Sequence, residues 1–447
     1  MLGGLIDRLQ PDAIGMSVTT PLRKRNVLVT QFVKTLTDAP VIWGGYDPTV
    51  NTADCLEHCD YACVGEGDVT MLEIARRLDA AQSLDDVCNL SYRRHGSAVT
   101  VPRSPLVHDL DTLPWRDNTP EHKYFIEDDE LIVNYPVLTD RSSSVYQTIT
   151  SRGCPYSCTY CCEATLKDIY TGEKFLRRRS PADAVAELAE AKRKYGATEI
   201  MFEDEIFGMD LRWLEKFTPL YLEHVGLPFS AYLYPTRNID KLLPMLKEAG
   251  LASCCVSLQT GSERIHKRVF DRPYDRELFL KTIRKCRSLG VVFYTDVITF
   301  NPYEEESDLD KTLDVLLQVG GPYGLCINKL FVLPGTSLAD QMRRDGMQPE
   351  DGSRNRLFGY YCRLFSIASL SPFSGWVARL ARRFDIFRRR PALLHMPTIE
   401  FGFRVVNALH RRAILLRDRL RPRKPDPPQA APDVHSKETG QNLVQIQ

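Results

Sequence analysis

Ser151-Arg152-Gly153-Cys154-Pro155-Tyr156-Ser157-Cys158-Thr159-Tyr160-Cys161 sets three thiols at C-x3-C-x2-C spacing directly after an apolar run, residues 145–151, that reads as a strand. Soft sulfur ligands suit iron, and a short loop carrying a glycine can fold around a cubane, so three thiolates can cap three irons and leave the fourth open to an organic ligand. A zinc knuckle is the competing reading, although such sites usually show a fourth Cys or His nearby. Cys162 directly follows Cys161, and adjacent residues at a helix start point in different directions, which sets Cys162 apart from the ligand set.

Outward from this loop, apolar runs alternate with helical patterns. A helix follows with Ser180 as N-cap, Pro181 at its first position, Asp183 three residues after the cap and Gly196 as its stop. Further strand candidates are residues 199–202, 229–234, 254–258, 291–299 and 325–333. With the first they make six βα units, too few to close a full barrel of about eight strands, which predicts an open, partial (β/α)6 TIM-type barrel over 145–345 with its chemistry at the carboxyl ends of the strands.

Upstream, the runs 13–17, 40–43 and 61–64 end at Ser17, Gly44-Gly45 and Gly65-Glu66-Gly67. Short apolar strands ending in small residues and alternating with helices predict a doubly wound, Rossmann-like domain over 1–80, with those three loops on one edge. The fold class is therefore α/β throughout the first two units. Residues 81–144 read as a linker, 346–421 as a helical, arginine-rich extension, and 422–447 as a disordered tail from its Pro, Gln, Asp and Ser content.

Lys+Arg and Asp+Glu are each 58, so the overall field offers no attraction for nucleic acid, and no nucleic-acid partner is expected. Thirteen cysteines, an odd number in a long chain without a signal-peptide pattern, predict reduced thiols and a cytoplasmic setting. No apolar stretch reaches the ~20 residues that span a bilayer. Trp376, Leu380, Phe384 and Phe387 fall near helical spacing among arginines. The expectation is a helix covering the barrel with a solvated outer face; binding of a phosphate-bearing substrate and peripheral contact with an anionic membrane are the alternatives. Cys55-x3-Cys59-x3-Cys63 invites a second cluster, but Cys63 lies in a strand run where a small thiol simply packs.

The cysteine loop resembles the signature of the radical S-adenosylmethionine (SAM) superfamily, C-x3-C-x-aromatic-C, with Tyr160 as the aromatic. The resemblance implies a [4Fe-4S] cluster on Cys154, Cys158 and Cys161, whose open iron binds SAM and, once reduced, cleaves it to methionine and a 5′-deoxyadenosyl radical. It places Tyr160 against the adenine and the acidic run Glu203-Asp204-Glu205, chiefly Glu203 and Asp204, at the SAM amino group. The run Val256-Ser-Leu-Gln259-Thr-Gly-Ser262 is similar to the segment that touches ribose and carboxylate, assigning Gln259 and Ser262 there. Ile298 falls at an adenine contact, although Asp296 and Phe300 replace glycines common around it.

Ser17, Gly44-Gly45 and Gly65-Glu66-Gly67 resemble the cobalamin-binding domain attached to one radical SAM subfamily, in which Ser17, Gly44 and Gly45 would receive the nucleotide tail. That domain's first strand and Asp-x-His-x-x-Gly loop would precede Leu2, so residues 1–80 read as an incomplete domain: either the start lies upstream, or the domain is a shortened relic, or cobalamin binds without that histidine. The implied activity is cobalamin-dependent C-methylation of a small molecule, with electrons from a flavodoxin- or ferredoxin-type carrier. A radical cyclase or rearrangement enzyme without methyl transfer, and a non-catalytic iron-sulfur carrier or regulator, are the alternatives. No residue is assigned a catalytic role from the sequence.

Overall fold

The computed structural model describes residues 1–134, 144–347, 354–389, 391–394 and 443–446. The chain opens with α1 (Leu2–Leu9), β1 (Ala13–Ser17), α2 (Arg23–Val33), β2 (Val41–Gly44), α3 (Tyr46–Val50), α4 (Thr52–Cys55), β3 (Tyr61–Cys63) and α5 (Asp68–Asp79), followed by β4 (Leu90–Arg94) and β5 (Ser97–Thr100). β1, β2 and β3 are parallel neighbours. Ile14, Val41, Ile42, Trp43 and Ala62 are buried, as strands covered on both faces require. The Trp43 indole donates to Thr30 Oγ1 of α2 at 3.0 Å, which ties sheet to helix.

Two expectations need correction. Residues 90–100, read as linker, form a hairpin that extends the first sheet through β4 antiparallel to β3. Its turn holds His95 at φ 51° and Gly96 at φ 82°, the paired positive dihedrals that match the twist of a two-residue hairpin. Within the tail expected to be disordered, β16 (Leu443–Ile446) pairs in parallel with β1, Ala13 opposite Leu443 and Met16 opposite Ile446. It takes the open edge beside β1, where the unpaired N–H and C=O groups of an edge strand favour an added strand.

A hairpin, β6 (Tyr124–Glu127) and β7 (Glu130–Val133), precedes the second sheet. That sheet is built from β8 (Val145–Thr148), β11 (Glu199–Phe202), β12 (Phe229–Leu233), β13 (Leu251–Val256), β14 (Val292–Thr299) and β15 (Gly324–Lys329), parallel and in sequential order. β8 and β15 are the two edges, so the barrel stays open as six strands predict. Between β8 and β11 lie β9 (Ser151–Arg152), α6 (Cys162–Ile169), β10 (Arg177–Arg178) and α7 (Pro181–Lys194). The outer layer continues with α8 (Leu211–His224), α9 (Ile239–Ala249), α11 (Arg276–Ser288) and α12 (Glu306–Val319), while α10 (Glu263–Arg268) and α13 (Ser337–Arg344) pack together in a separate cluster with Tyr160.

Ser180 Oγ caps α7 by accepting from Asp183 N at 3.1 Å, as its sequence pattern predicts. Under α8, the Phe202 and Phe207 rings stack at 4.2 Å, and Phe217, Tyr221 and Phe229 close around them. Burying each such ring contributes roughly 2–3 kcal/mol, which fixes the strands whose far ends carry the site. α14 (Asn355–Leu370), α15 (Pro372–Ala381) and α16 (Asp385–Arg389) then pack along α12 and the barrel edge.

Candidate active site

The three cysteines occupy the loop between β9 and α6, at the carboxyl-end mouth of the barrel. Gly153 turns the chain into this loop at φ 91°; a Cβ there would come within 2.7 Å of the Phe175 carbonyl oxygen, so no other residue fits without displacing backbone. The loop is pinned at both flanks. Thr159 N donates to Phe270 O at 3.0 Å, Leu338 N donates to Thr159 O at 2.9 Å, and Lys167 Nζ donates to Pro155 O and Ser157 Oγ.

Cys154, Cys158 and Cys161 are unpaired thiols close enough to perturb one another's charge. Among the described residues no three His, Cys, Asp or Glu side chains are gathered into the tight cage of a single ion. Three free thiols on one short loop are the donor set that can cap three irons of a cubane. Burial pushes the Cys154 thiol up to about 12 and raises Cys158. Cys161 is held below its ordinary value by a hydrogen bond from Cys162, whose own thiol is raised by the same contact. Metal binding must therefore expel protons from buried thiols.

Around the loop, Tyr160 packs edge-on against Phe270 with ring centroids 4.6 Å apart. Arg272, which the sequence reading did not single out, sits behind it. Its guanidinium donates to the Tyr160 hydroxyl and to Ser257 O, both at 3.4 Å, and lies 5.0 Å from the Tyr234 ring centre. Burial alone would lower its pKa, yet Tyr160, Tyr234, Cys158 and Asp296 around it hold it above the ordinary value. Asp296 accepts from Leu258 N at 3.2 Å and Gln259 Nε2 at 2.9 Å. Gln259 is held at φ 66° by backbone bonds to Asp296 and Ile298, and its buried Oε1 has no partner among the described residues.

Several expected contacts are redistributed. Asp204 is buried and its carboxylate is already used: it accepts from Thr150 N at 3.1 and 3.0 Å, from Thr150 Oγ1 at 2.7 Å and from Ser151 Oγ at 2.5 Å. It anchors the approach to the cysteine loop rather than facing a ligand. Ser262 is likewise fully buried, donating to Asp308 Oδ1 at 2.6 Å and capping α10. Glu203 and Glu205 are both exposed at the strand end, and Glu205 is the one whose charge acts on Cys154, Cys161 and Glu163. Ile298 is half-buried and packs in the cluster that includes Tyr160. Phe300 takes φ 59°, the conformation for which its glycine-bearing counterparts are suited, and stacks on Phe358 at 5.0 Å.

Just beyond Gln259, His266 lies fully buried against the Tyr274 ring, centroids 4.2 Å apart, with Nε2 2.9 Å from Thr260 O. Burial pushes its pKa down to about 4 from 6.5. Between those values the unfolded chain takes up a proton that the folded chain refuses, so this group costs stability as pH falls through that window and nothing above it, up to roughly 3 kcal/mol. Thermal unfolding midpoints from pH 7 to pH 4 should fall less steeply in His266→Gln than in the unsubstituted chain; equal slopes would contradict this.

The edge of the first sheet faces this loop. Tyr46, directly after Gly44-Gly45, donates its hydroxyl to Pro334 O at 2.8 Å. Arg177 grips both oxygens of Glu66, at 2.9 and 2.5 Å, and Arg152 pairs with Asp68 at 2.7 and 3.1 Å. Ser17 and Gly45 are exposed on this edge; a Cβ on Gly44 would meet only Cys63 at 3.8 Å, whereas the space beside Gly65 is taken by the Tyr170 hydroxyl. Cys55, Cys59 and Cys63 are buried, and burial pushes their thiols up to about 11, 12 and 11. They pack as small core side chains.

Inside the barrel, Tyr232 and Tyr294 lie on central strands yet are 39% and 37% exposed, so the lumen is open. The Tyr294 ring lies over Gly324, where a Cβ would come within 1.9 Å of it. Cys255, Asp296 and Cys326 line the same space and influence one another electrostatically.

Residues 148–316 match the family model of the Radical SAM superfamily. An uncharacterized methyltransferase of Pyrococcus horikoshii is 25% identical over 316 residues, covering 69% of this chain and 64% of the relative. Cytidylyl-2-hydroxyethylphosphonate methyltransferase of Streptomyces wedmorensis is 27% identical over 308 residues, covering 63% and 56%. The matches thus span less than two thirds of these relatives' length. In structure, the chain is similar to TsrM of Kitasatospora setae, a radical SAM methyltransferase with tryptophan substrate and a SAM analogue bound (TM-score 0.60, 17% identity, 76% of this chain and 67% of that one). It is also similar to OxsB, a cobalamin-dependent SAM radical enzyme (TM-score 0.59, 15% identity, 87% and 64%). At such identities the likeness establishes a shared fold. With the cysteine loop at the mouth of an open six-stranded barrel, residues 148–316 of this chain belong to the radical SAM superfamily.

Proposed function

We propose that the chain is a radical SAM enzyme that methylates a carbon of a small molecule and uses cobalamin held by its N-terminal domain. The observation that carries this reading is the meeting of two strand-end edges: the loops at Gly45 and Gly65 are tied to the cysteine loop and barrel rim through Tyr46–Pro334, Glu66–Arg177 and Asp68–Arg152. The methyltransferase names of the relatives, and the cobalamin-dependent enzyme among the structural neighbours, support it.

The donor sets suit these groups. Three free thiols are the ligands a [4Fe-4S] cluster with an open iron requires, and the exposed Ser17 with Gly44 and Gly45 leaves the small-residue edge that a bulky nucleotide tail needs. When bound, cluster and SAM supply a 5′-deoxyadenosyl radical that takes a hydrogen atom from substrate, and cobalamin supplies the methyl group. The chain's own residues bind and orient. Arg272 offers a cation for the SAM carboxylate and Glu205 an anion for its amino group, while Tyr160, backed by Phe270, gives the adenine a flat wall. The substrate enters the lumen beside Tyr232 and Tyr294, and a flavodoxin- or ferredoxin-type carrier delivers the electron. Free thiols throughout the described residues suit a reducing, cytoplasmic setting.

Anaerobic reconstitution of the full chain with iron, sulfide and hydroxocobalamin tests this. Near-stoichiometric bound cobalamin, and formation of 5′-deoxyadenosine together with S-adenosylhomocysteine on reduction, are expected. A chain that makes 5′-deoxyadenosine but retains no cobalamin is a cyclase or rearrangement enzyme instead.

A further inference from the structure

α15 buries one side, Gly375, Ala378 and Ala381, with Gly375 against Leu317 of α12. Its other side is aromatic and open. Phe373 is 73% exposed and Trp376 55%, Leu380 follows, and Phe384 and Ile386 continue the exposed run into α16. At ~100° per residue, Phe373, Trp376 and Leu380 fall within about 60° of one another, and the Phe373 and Trp376 rings stack at 6.1 Å. A solvated outer face was expected here; the outer face is instead a narrow apolar stripe.

The arginines of this region divide into two sets. Arg382 pairs with Asp314 at 2.7 Å and Arg388 with Glu306 at 2.5 Å, which fastens the segment to α12. Arg379 and Arg383 are exposed on one shoulder of the stripe, and their guanidinium groups are in no ion pair among the described residues. Aromatic side chains flanked by free arginines suit the boundary of an anionic bilayer, where rings enter the headgroup layer and guanidinium groups meet lipid phosphates. A second copy docked on the same stripe would bring four unpaired arginines together. Among the described residues no helix is long and apolar enough to cross a membrane, so the contact is with the surface.

We propose that the outer face of α15 and the start of α16 form a docking site for an anionic lipid surface. Because α15 and α16 run along α12 toward Glu306, just beyond the end of β14, the docked bilayer lies along the barrel wall and reaches the rim of its mouth. The association is independent of the cofactors.

Co-sedimentation of the full chain with vesicles of phosphatidylcholine alone, or with about 30 mol% phosphatidylglycerol, at low salt tests it, together with a blue shift of Trp376 emission. Sedimentation is expected only with the anionic vesicles, at least about tenfold weaker for Phe373→Ser/Trp376→Ser/Leu380→Ser and about fivefold weaker for Arg379→Glu/Arg383→Glu. A chain that stays in the supernatant with anionic vesicles overturns the proposal, as does a triple variant with an unchanged unfolding midpoint that sediments like the original. Should the triple variant fail to fold, undiminished sedimentation of the arginine variant overturns it equally. A dimer that the triple variant dissolves, without vesicle binding, assigns the face to a second copy.

Discussion

Cys158→Ala leaves the reconstituted chain without its visible iron-sulfur absorbance and lowers SAM cleavage at least about a thousandfold, to the uncatalysed background, whereas Cys162→Ala keeps both. The difference follows from where the two thiols stand. Cys158 is buried within the loop that Thr159 pins to Phe270, and loss of its thiolate leaves one iron without a protein ligand. Cys154→Ala and Cys161→Ala should behave alike. Cys162 opens α6 and hydrogen-bonds the Cys161 sulfur, so its removal raises Cys161 toward the ordinary thiol value. The cluster is retained, with an altered reduction potential as the only change. Iron content and SAM-to-5′-deoxyadenosine assays on the four variants check this; a Cys162→Ala chain as empty as the other three would show that the ligand set is misassigned.

Arg272→Ala should raise the KM for SAM by roughly thirty- to a hundredfold, equivalent to about 2–3 kcal/mol of lost charge-assisted binding. Three effects add at this position. The cation offered to the SAM carboxylate disappears, the Tyr160 hydroxyl loses its donor, and Asp296 loses the positive charge that partly offsets its burial. Asp296 then favours its protonated form, and the hydrogen bond that orients Gln259 weakens. Arg272→Lys keeps charge without the planar fork and should recover only part of the loss. Cluster content is expected to stay unchanged in both. An unaltered KM, or loss of the cluster, would show that Arg272 acts on the scaffold instead.

The six parallel strands were legible because apolar runs alternated with helix patterns, and the cysteine loop because its spacing is local. What escaped depends on partners distant in sequence. Asp204 and Glu205 are adjacent carboxylates of the same charge; that Asp204 turns inward is decided by Thr150 and Ser151, more than fifty positions earlier. Arg272 lies in an irregular stretch before Pro273, where no periodicity marks it. Ser262 did carry a readable sign, a serine opening a helix at Glu263, and N-cap logic would have turned it inward. The β4–β5 hairpin was likewise marked by His95-Gly96 between alternating residues. The pairing of Leu443–Ile446 with β1 had no such sign, because its partner lies at the other end of the chain.

Electron paramagnetic resonance of the anaerobically reconstituted, reduced full chain, with and without SAM, tests most directly whether the cysteine loop holds a cluster with an open iron. About four irons per chain and a cluster signal that shifts when SAM is added are the predicted result. A colourless chain carrying zinc, or a cluster signal indifferent to SAM, would contradict it.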